Sequence, residues 1–167
     1  MLIRAYGQYW NPTVVDWGAR GPGNKGTLEG KVKINGTAYT VDFWDAIGIY
    51  VLHNEFKPVY VGKAIGTRIG KRLRDHLTDR HAGRWDMFSW FSQSTINTTT
   101  CTLRDPGTRQ FASKTITDTL EALAILITDP PMNRKRESIP NAIEAIQKAQ
   151  PQPKAIREYL QEILDKP

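Results

Sequence analysis

The chain has a single cysteine in 167 residues, Cys101. No disulfide can form within one chain, and a cysteine-built metal cluster is excluded. Long apolar runs are also missing. No stretch approaches the ~20 residues of a membrane-spanning helix, and residues 1–10 hold no apolar run of signal-peptide length. There is no internal repeat and no low-complexity tract. Together these absences lead to the expectation of a soluble, cytoplasmic protein from a reducing compartment, with no membrane partner.

The apolar content is sufficient for one core. Hydrophobic residues make up 40% of the chain, which separates it from disordered sequences. Its length suits one compact domain with decorations rather than two full domains. Net charge is +6, and the excess is local. Residues 46–92 carry eight Lys/Arg against four Asp/Glu, whereas residues 137–167 carry four against five. A basic segment suits an anionic partner, and ordinary solubilising charge explains it equally well until motifs are weighed.

Residues 3–10, with Tyr6, Tyr9 and Trp10, suit a strand. Residues 18–30 read as a glycine-rich loop. Its Gly21-Pro22-Gly23-Asn24-Lys25-Gly26 matches G-x-G-x-x-G in form, but no helix pattern opens after it, so a nucleotide site is not expected. Residues 31–44 read as a hairpin turning at Asn35-Gly36. Residues 46–62 read as a second hairpin whose loop spans 54–58, with Pro58 at a strand start. Residues 67–80 read as a helix with Ile69, Leu73 and Leu77 as its buried stripe. Trp85, Phe88, Trp90 and Phe91 are dense enough to read as core more readily than as a base-stacking platform, with stacking open to one or two of them. A strand is expected within 92–102 and a helix over 118–127, ended by Pro130-Pro131. Residues 140–149 suit a further helix, and residues 154–164 an amphipathic one.

Several residues suit phosphodiester chemistry, and each also has a plainer reading. Arg72 and His76 are four apart on the expected helix and share a face about 100° from the Leu73 stripe. They fit a phosphate clamp with a proton acceptor, or a solvated basic face. Glu121 lies in the most apolar helix, as a hard ligand for a divalent cation or as the end of an Asp118-x-x-Glu121 capping box. Asn133 follows Pro130-Pro131-Met132 as a turn residue. Tyr50 and Tyr60 suit cross-strand packing.

Their order along the chain is more specific than any one of them. Gly48-Ile49-Tyr50 is followed by Tyr60-Val61-Gly62, then Lys71-Arg72-Leu73-Arg74-Asp75-His76, then Glu121, then Pro130-Pro131-Met132-Asn133. This layout resembles the GIY-YIG nuclease superfamily over roughly residues 46–135. The second triplet carries valine for isoleucine. The link between Gly62 and Arg72 is longer than expected, with Arg68 as the substitute arginine should an extended loop not absorb it.

The resemblance implies an α+β fold: a small central antiparallel β-sheet flanked by helices. A β-rich N-terminal extension (1–45) would precede the nuclease domain (46–135), and a C-terminal helical extension (136–167) would follow it. It also implies a metal-dependent DNA endonuclease. Tyr50 would activate water, with Tyr60 and His76 assisting the proton network. Arg72 would bind the phosphate, Glu121 would hold one Mg²⁺ or Mn²⁺, and Asn133 would support the site. Lys63, Arg68, Lys71, Arg74 and Arg84 are the expected nucleic-acid contacts, with DNA the expected partner and RNA open. A homodimer is one route to cutting both strands. The alternative is a non-catalytic nucleic-acid-binding or regulatory protein on the same scaffold, and a third option is a protein-interaction module.

Overall fold

The computed structural model describes residues 2–19, 21, 23–108, 110–129, 139 and 141–148. The architecture is α+β. Ten strands and two α-helices occupy the described residues: β1 (Ala5–Trp10), β2 (Glu29–Ile34), β3 (Thr37–Asp42), β4 (Gly48–Asn54), β5 (Lys57–Ala64), α1 (Ile69–Asp75), β6 (Met87–Ser92), β7 (Thr95–Asn97), β8 (Thr102–Arg104), α2 (Ser113–Thr128), β9 (Ile143–Glu144) and β10 (Ile146–Gln147). The main sheet has the order β5-β4-β6-β1-β9 and is antiparallel except where β9 joins β1. A three-stranded sheet, β10-β2-β3, and the β7–β8 pair complete the fold. No described helix is long and apolar enough to cross a membrane.

Both expected hairpins form. Asn35 (φ 49°) and Gly36 (φ 84°) turn β2 into β3. The β4–β5 turn is tighter than expected. Only Glu55 (φ 50°) and Phe56 (φ 65°) are unpaired, and two positive φ values in succession match the right-handed twist of the flanking strands. Pro58 sits inside β5, where the register shifts between Leu52 and His53. It is tolerated because β5 is the sheet edge, so a missing N–H breaks no second ladder.

Strand alternation gives the main sheet two covered faces. On one face Tyr50, Leu52, Phe88 and Trp90 pack with Ile69 and Leu73 of α1, with Trp44, and with Val32, Val41 and Phe43 from the β2–β3 segment. Ile69 and Leu73 are fully buried, each contributing about 1.5–3 kcal/mol. On the other face Val51, Phe91, Tyr6 and Ile3 pack under Ala122, Leu123 and Leu126 of α2. Trp85, Phe88, Trp90 and Phe91 are core residues, as expected.

β1, from the expected N-terminal extension, is an interior strand of the main sheet between β6 and β9. Its Trp10 stands edge-on to Trp90 with centroids 5.3 Å apart and donates Nε1–H to the Ala145 carbonyl at 3.3 Å.

Three expectations are corrected. The helix expected over 67–80 is the seven-residue α1, and Leu77 is exposed rather than part of the stripe. Asp79 Oδ1 accepts the His81 backbone N–H at 2.8 Å, a local turn that competes with continued helix. Residues 140–149 do not form a helix where they are described. Ile143 N–H bonds the Arg4 carbonyl and Ala145 N–H the Tyr6 carbonyl at 2.8 and 2.7 Å, so open strand edges capture this segment. Finally, α2 begins at Ser113 with Ala112 as its N-cap, which puts Asp118 and Glu121 in mid-helix and removes the capping box. The helix expected over 154–164 lies outside the described residues.

Candidate active site

The hairpin register sets the site. Tyr50 on β4 lies opposite Gly62 on β5. A Cβ at Gly62 would overlap the Tyr50 ring and its hydroxyl, so the glycine of the second triplet leaves the space the first tyrosine fills. The phenol thus lies across the edge strand, fully buried.

The Tyr50 hydroxyl lies 2.7 Å from Nε2 of His76. His76 is the C-cap of α1 and is itself buried. Its Nδ1 lies 2.6 Å from Asp79 Oδ2. A carboxylate accepts, so Nδ1 carries the proton, Nε2 presents a lone pair, and the Tyr50 hydroxyl donates to it. Asp79 also faces His81 Nδ1 at 3.2 Å. Tyr60 completes the cluster, its ring 4.5 Å from His81, 5.1 Å from His76 and 6.2 Å from Tyr50, centroid to centroid.

The electrostatics follow from burial and neighbours. Burial pushes the Tyr50 phenol up to about 12 against the opposing pull of the nearby Arg72 guanidinium, and Tyr60 adds to the rise. The phenol is therefore protonated at neutral pH. At Asp79, desolvation works against the charge. The His81 backbone N–H and the His76 and His81 imidazoles outweigh it and hold the carboxyl at about 2.

Outside this cluster an open cleft of ≈ 590 Å³ runs along the β5 edge, lined by residues that include Ile49, Tyr60, Gly62, Lys63, Thr67 and Arg72. Residues 65–68 link β5 to α1, and Arg72 lies against Tyr50 and lines the cleft with Tyr60. Arg68 instead grips Asp105 through Nη1 and Nη2 at 2.9 and 3.4 Å.

The remaining candidates divide. Lys63 faces the cleft, and Arg84 is exposed without an ion pair to any described residue. Lys71 pairs with Asp75 at 3.2 Å. Arg74 is structural: it stacks over Trp44 at 5.3 Å and donates to the carbonyls of Asn24 and Trp17 at 2.9 and 3.3 Å, which pins the glycine-rich loop. Glu121 is exposed on α2, which packs on the sheet face opposite Tyr50 and touches β5. It lies outside the Tyr50–His76 cluster, and the apolar character of its helix does not bury it. Asn133 lies outside the described residues.

Asp79 and His81 were missed from the sequence. The signal was there in His76-x-x-Asp79-x-His81, but the helix expected over 67–80 ran through His76 and Asp79 and stopped short of His81, which concealed the turn that brings them together.

No family model matches the chain, and no curated protein or solved structure matches it significantly.

Proposed function

We propose that this protein is a metal-dependent DNA endonuclease of the GIY-YIG type, with Tyr50 as the group that activates water. The observation that carries the reading is the continuous hydrogen-bonded line Tyr50–His76–Asp79, at 2.7 and 2.6 Å, beside a cleft holding Arg72 and Lys63. The adjacency of both triplets across β4–β5, with β6 as the third antiparallel strand, supports the same reading.

A phenol held near 12 is a poor base on its own at neutral pH. Its contact with His76 removes that obstacle. As water attacks phosphorus, its proton passes to the Tyr50 oxygen and the Tyr50 proton passes to His76 Nε2. The new O–P bond forms while the bond to the leaving oxygen breaks. Asp79 stabilises the resulting imidazolium, as a carboxylate behind a histidine does in other proton relays. Arg72 and Lys63 hold the non-bridging phosphate oxygens and offset their charge.

Glu121 is exposed on α2, which lies on the sheet face opposite Tyr50 but touches the edge strand β5. On this reading it would be the carboxylate that shares one Mg²⁺ or Mn²⁺ with phosphate oxygens across that edge. Such an ion, when bound, supplies charge stabilisation at the leaving oxygen.

The test is incubation with supercoiled plasmid in Mg²⁺, in Mn²⁺ and in chelator. Nicking that requires the metal and is lost in Tyr50→Phe supports the reading. Binding of DNA without cleavage under every metal condition would refute it.

A further inference from the structure

His76, Asp79 and His81 bring three potential ligand atoms to within 4.8 Å of one another. His76 Nδ1 is 2.6 Å from Asp79 Oδ2, and His81 Nδ1 is 3.2 Å from Asp79 Oδ1. The edge of a tetrahedral zinc site is about 3.3 Å, given bonds of about 2.0–2.1 Å. The His81–Asp79 edge is already at that length, the His76–Asp79 hydrogen bond must open by roughly 0.7 Å to admit an ion in place of its proton, and His81, in the solvent-reached turn after α1, is placed to adjust. The His76 side chain is 2% exposed, but those of His81 and Asp79 are 20% and 37% exposed, so solvent reaches two of the three residues.

We propose that His76 Nδ1, Asp79 and His81 Nδ1 form a binding site for one divalent transition metal of the zinc class, separate from any ion held through Glu121. Two imidazoles and one carboxylate suit Zn²⁺, Co²⁺ or Ni²⁺. Mg²⁺ prefers an all-oxygen shell and gains little here. The outer partner is in place as well. Metal-bound histidines usually anchor their second nitrogen, and Nε2 of His76 already meets the Tyr50 hydroxyl at 2.7 Å.

The ion has a chemical consequence at that contact. An ion on Nδ1 displaces the proton there, and neutral His76 then carries its proton on Nε2. The hydrogen bond to Tyr50 reverses, with Nε2–H donating and the phenol oxygen accepting. His76 can no longer take the Tyr50 proton. On the nuclease reading proposed above, which this step rests on, the zinc-class ion is an inhibitor acting at the relay itself.

The experiment uses the full chain stripped of metal with chelator. Zn²⁺ is titrated against a chromophoric competitor, and Co²⁺ is followed by its visible absorption. One ion per chain is expected, with a Co²⁺ spectrum of low-coordinate type and no displacement by millimolar Mg²⁺. Affinity should fall at least about tenfold in His81→Ala and Asp79→Ala. Circular dichroism in chelator establishes that the variants fold, with His81→Gln as the substitute if His81→Ala does not. Binding that is unchanged by the His81 substitution, falls short of one ion per chain or yields to Mg²⁺ overturns the site. Zn²⁺ binding by a protein that never nicks DNA leaves the site standing and removes the nuclease reading. Mg²⁺-dependent nicking by a protein that binds no Zn²⁺ does the reverse. Full nicking by the Zn²⁺-saturated protein overturns the inhibition.

Discussion

The hydroxyl of Tyr50 and Nε2 of His76 meet at 2.7 Å in the protein interior, one from a strand and one from the end of a short helix. Tyr50→Phe removes the hydroxyl and leaves Nε2 without that partner. Stability should fall by about 1–3 kcal/mol, measured by urea denaturation. Plasmid nicking should fall by roughly 10²-fold or more. Undiminished nicking would end the assignment of Tyr50.

Asp79 is expected to position His76 rather than to meet substrate. Asp79→Ala should depress nicking while Asp79→Asn, which keeps an acceptor, retains more of it. The two variants should differ in turnover more than in DNA affinity. A further readout is acid stability. The Asp79 pKa is depressed to about 2, so its stabilisation is present above the ordinary carboxylate range and is lost as pH falls from about 4 towards 2. In Asp79→Ala that part of the acid transition should flatten.

Tyr50 gives the opposite sign at high pH. Its folded value is raised to about 12, so its contribution is intact below pH ~10 and is lost as pH rises through the folded value. Ultraviolet titration of phenolate should show a late-ionising component that is missing from Tyr50→Phe. A wild-type titration complete by pH 10.5 would contradict the burial of this phenol.

Gly62→Ala tests the packing directly. The added Cβ has no room beside the Tyr50 ring, so the ring must move or the edge strand must shift. Overpacking of this kind costs about 1–3 kcal/mol, and the displaced hydroxyl should take nicking with it. A variant with wild-type denaturation and wild-type nicking would show that the close approach is unimportant.

Glu121→Gln separates function from stability. The side chain is exposed, so the denaturation midpoint should hold within about 0.5 kcal/mol. Mg²⁺-dependent nicking should be lost, and raised Mn²⁺ should restore part of it. Equal Mg²⁺ dependence in variant and wild type would move the metal elsewhere.

The hairpins were legible in the sequence because alternation and an Asn-Gly turn are local signals, and β4 and β5 followed them. The segment 140–149 misled because its alanines and Ile143 suit a helix, while the hydrogen bonds that decided its course come from Arg4, Tyr6 and Glu29 far away in the chain. Arg74 misled in another way. A lysine or arginine in a basic run reads as a contact for phosphate, yet the carbonyls of Trp17 and Asn24 took this one. Glu121 lies in the most apolar helix, between Leu120 and Leu123, but Leu120 is itself 58% exposed and only the Thr119, Ala122, Leu123, Leu126 face turns inward, so Glu121 is exposed.

By itself the sequence determined the two strand-paired tyrosine triplets, the aromatic core and the candidacy of Arg72 and His76, since each rests on spacing within a few residues. Only the tertiary structure decided what those residues do to one another. The reach of Tyr50 across Gly62, the placing of Arg72 beside Tyr50 and of Arg68 on Asp105, and the turn that sets Asp79 and His81 behind His76 depend on how a sheet edge meets a helix end. Those contacts join β4 to α1 and its following turn through packing, which local periodicity does not encode.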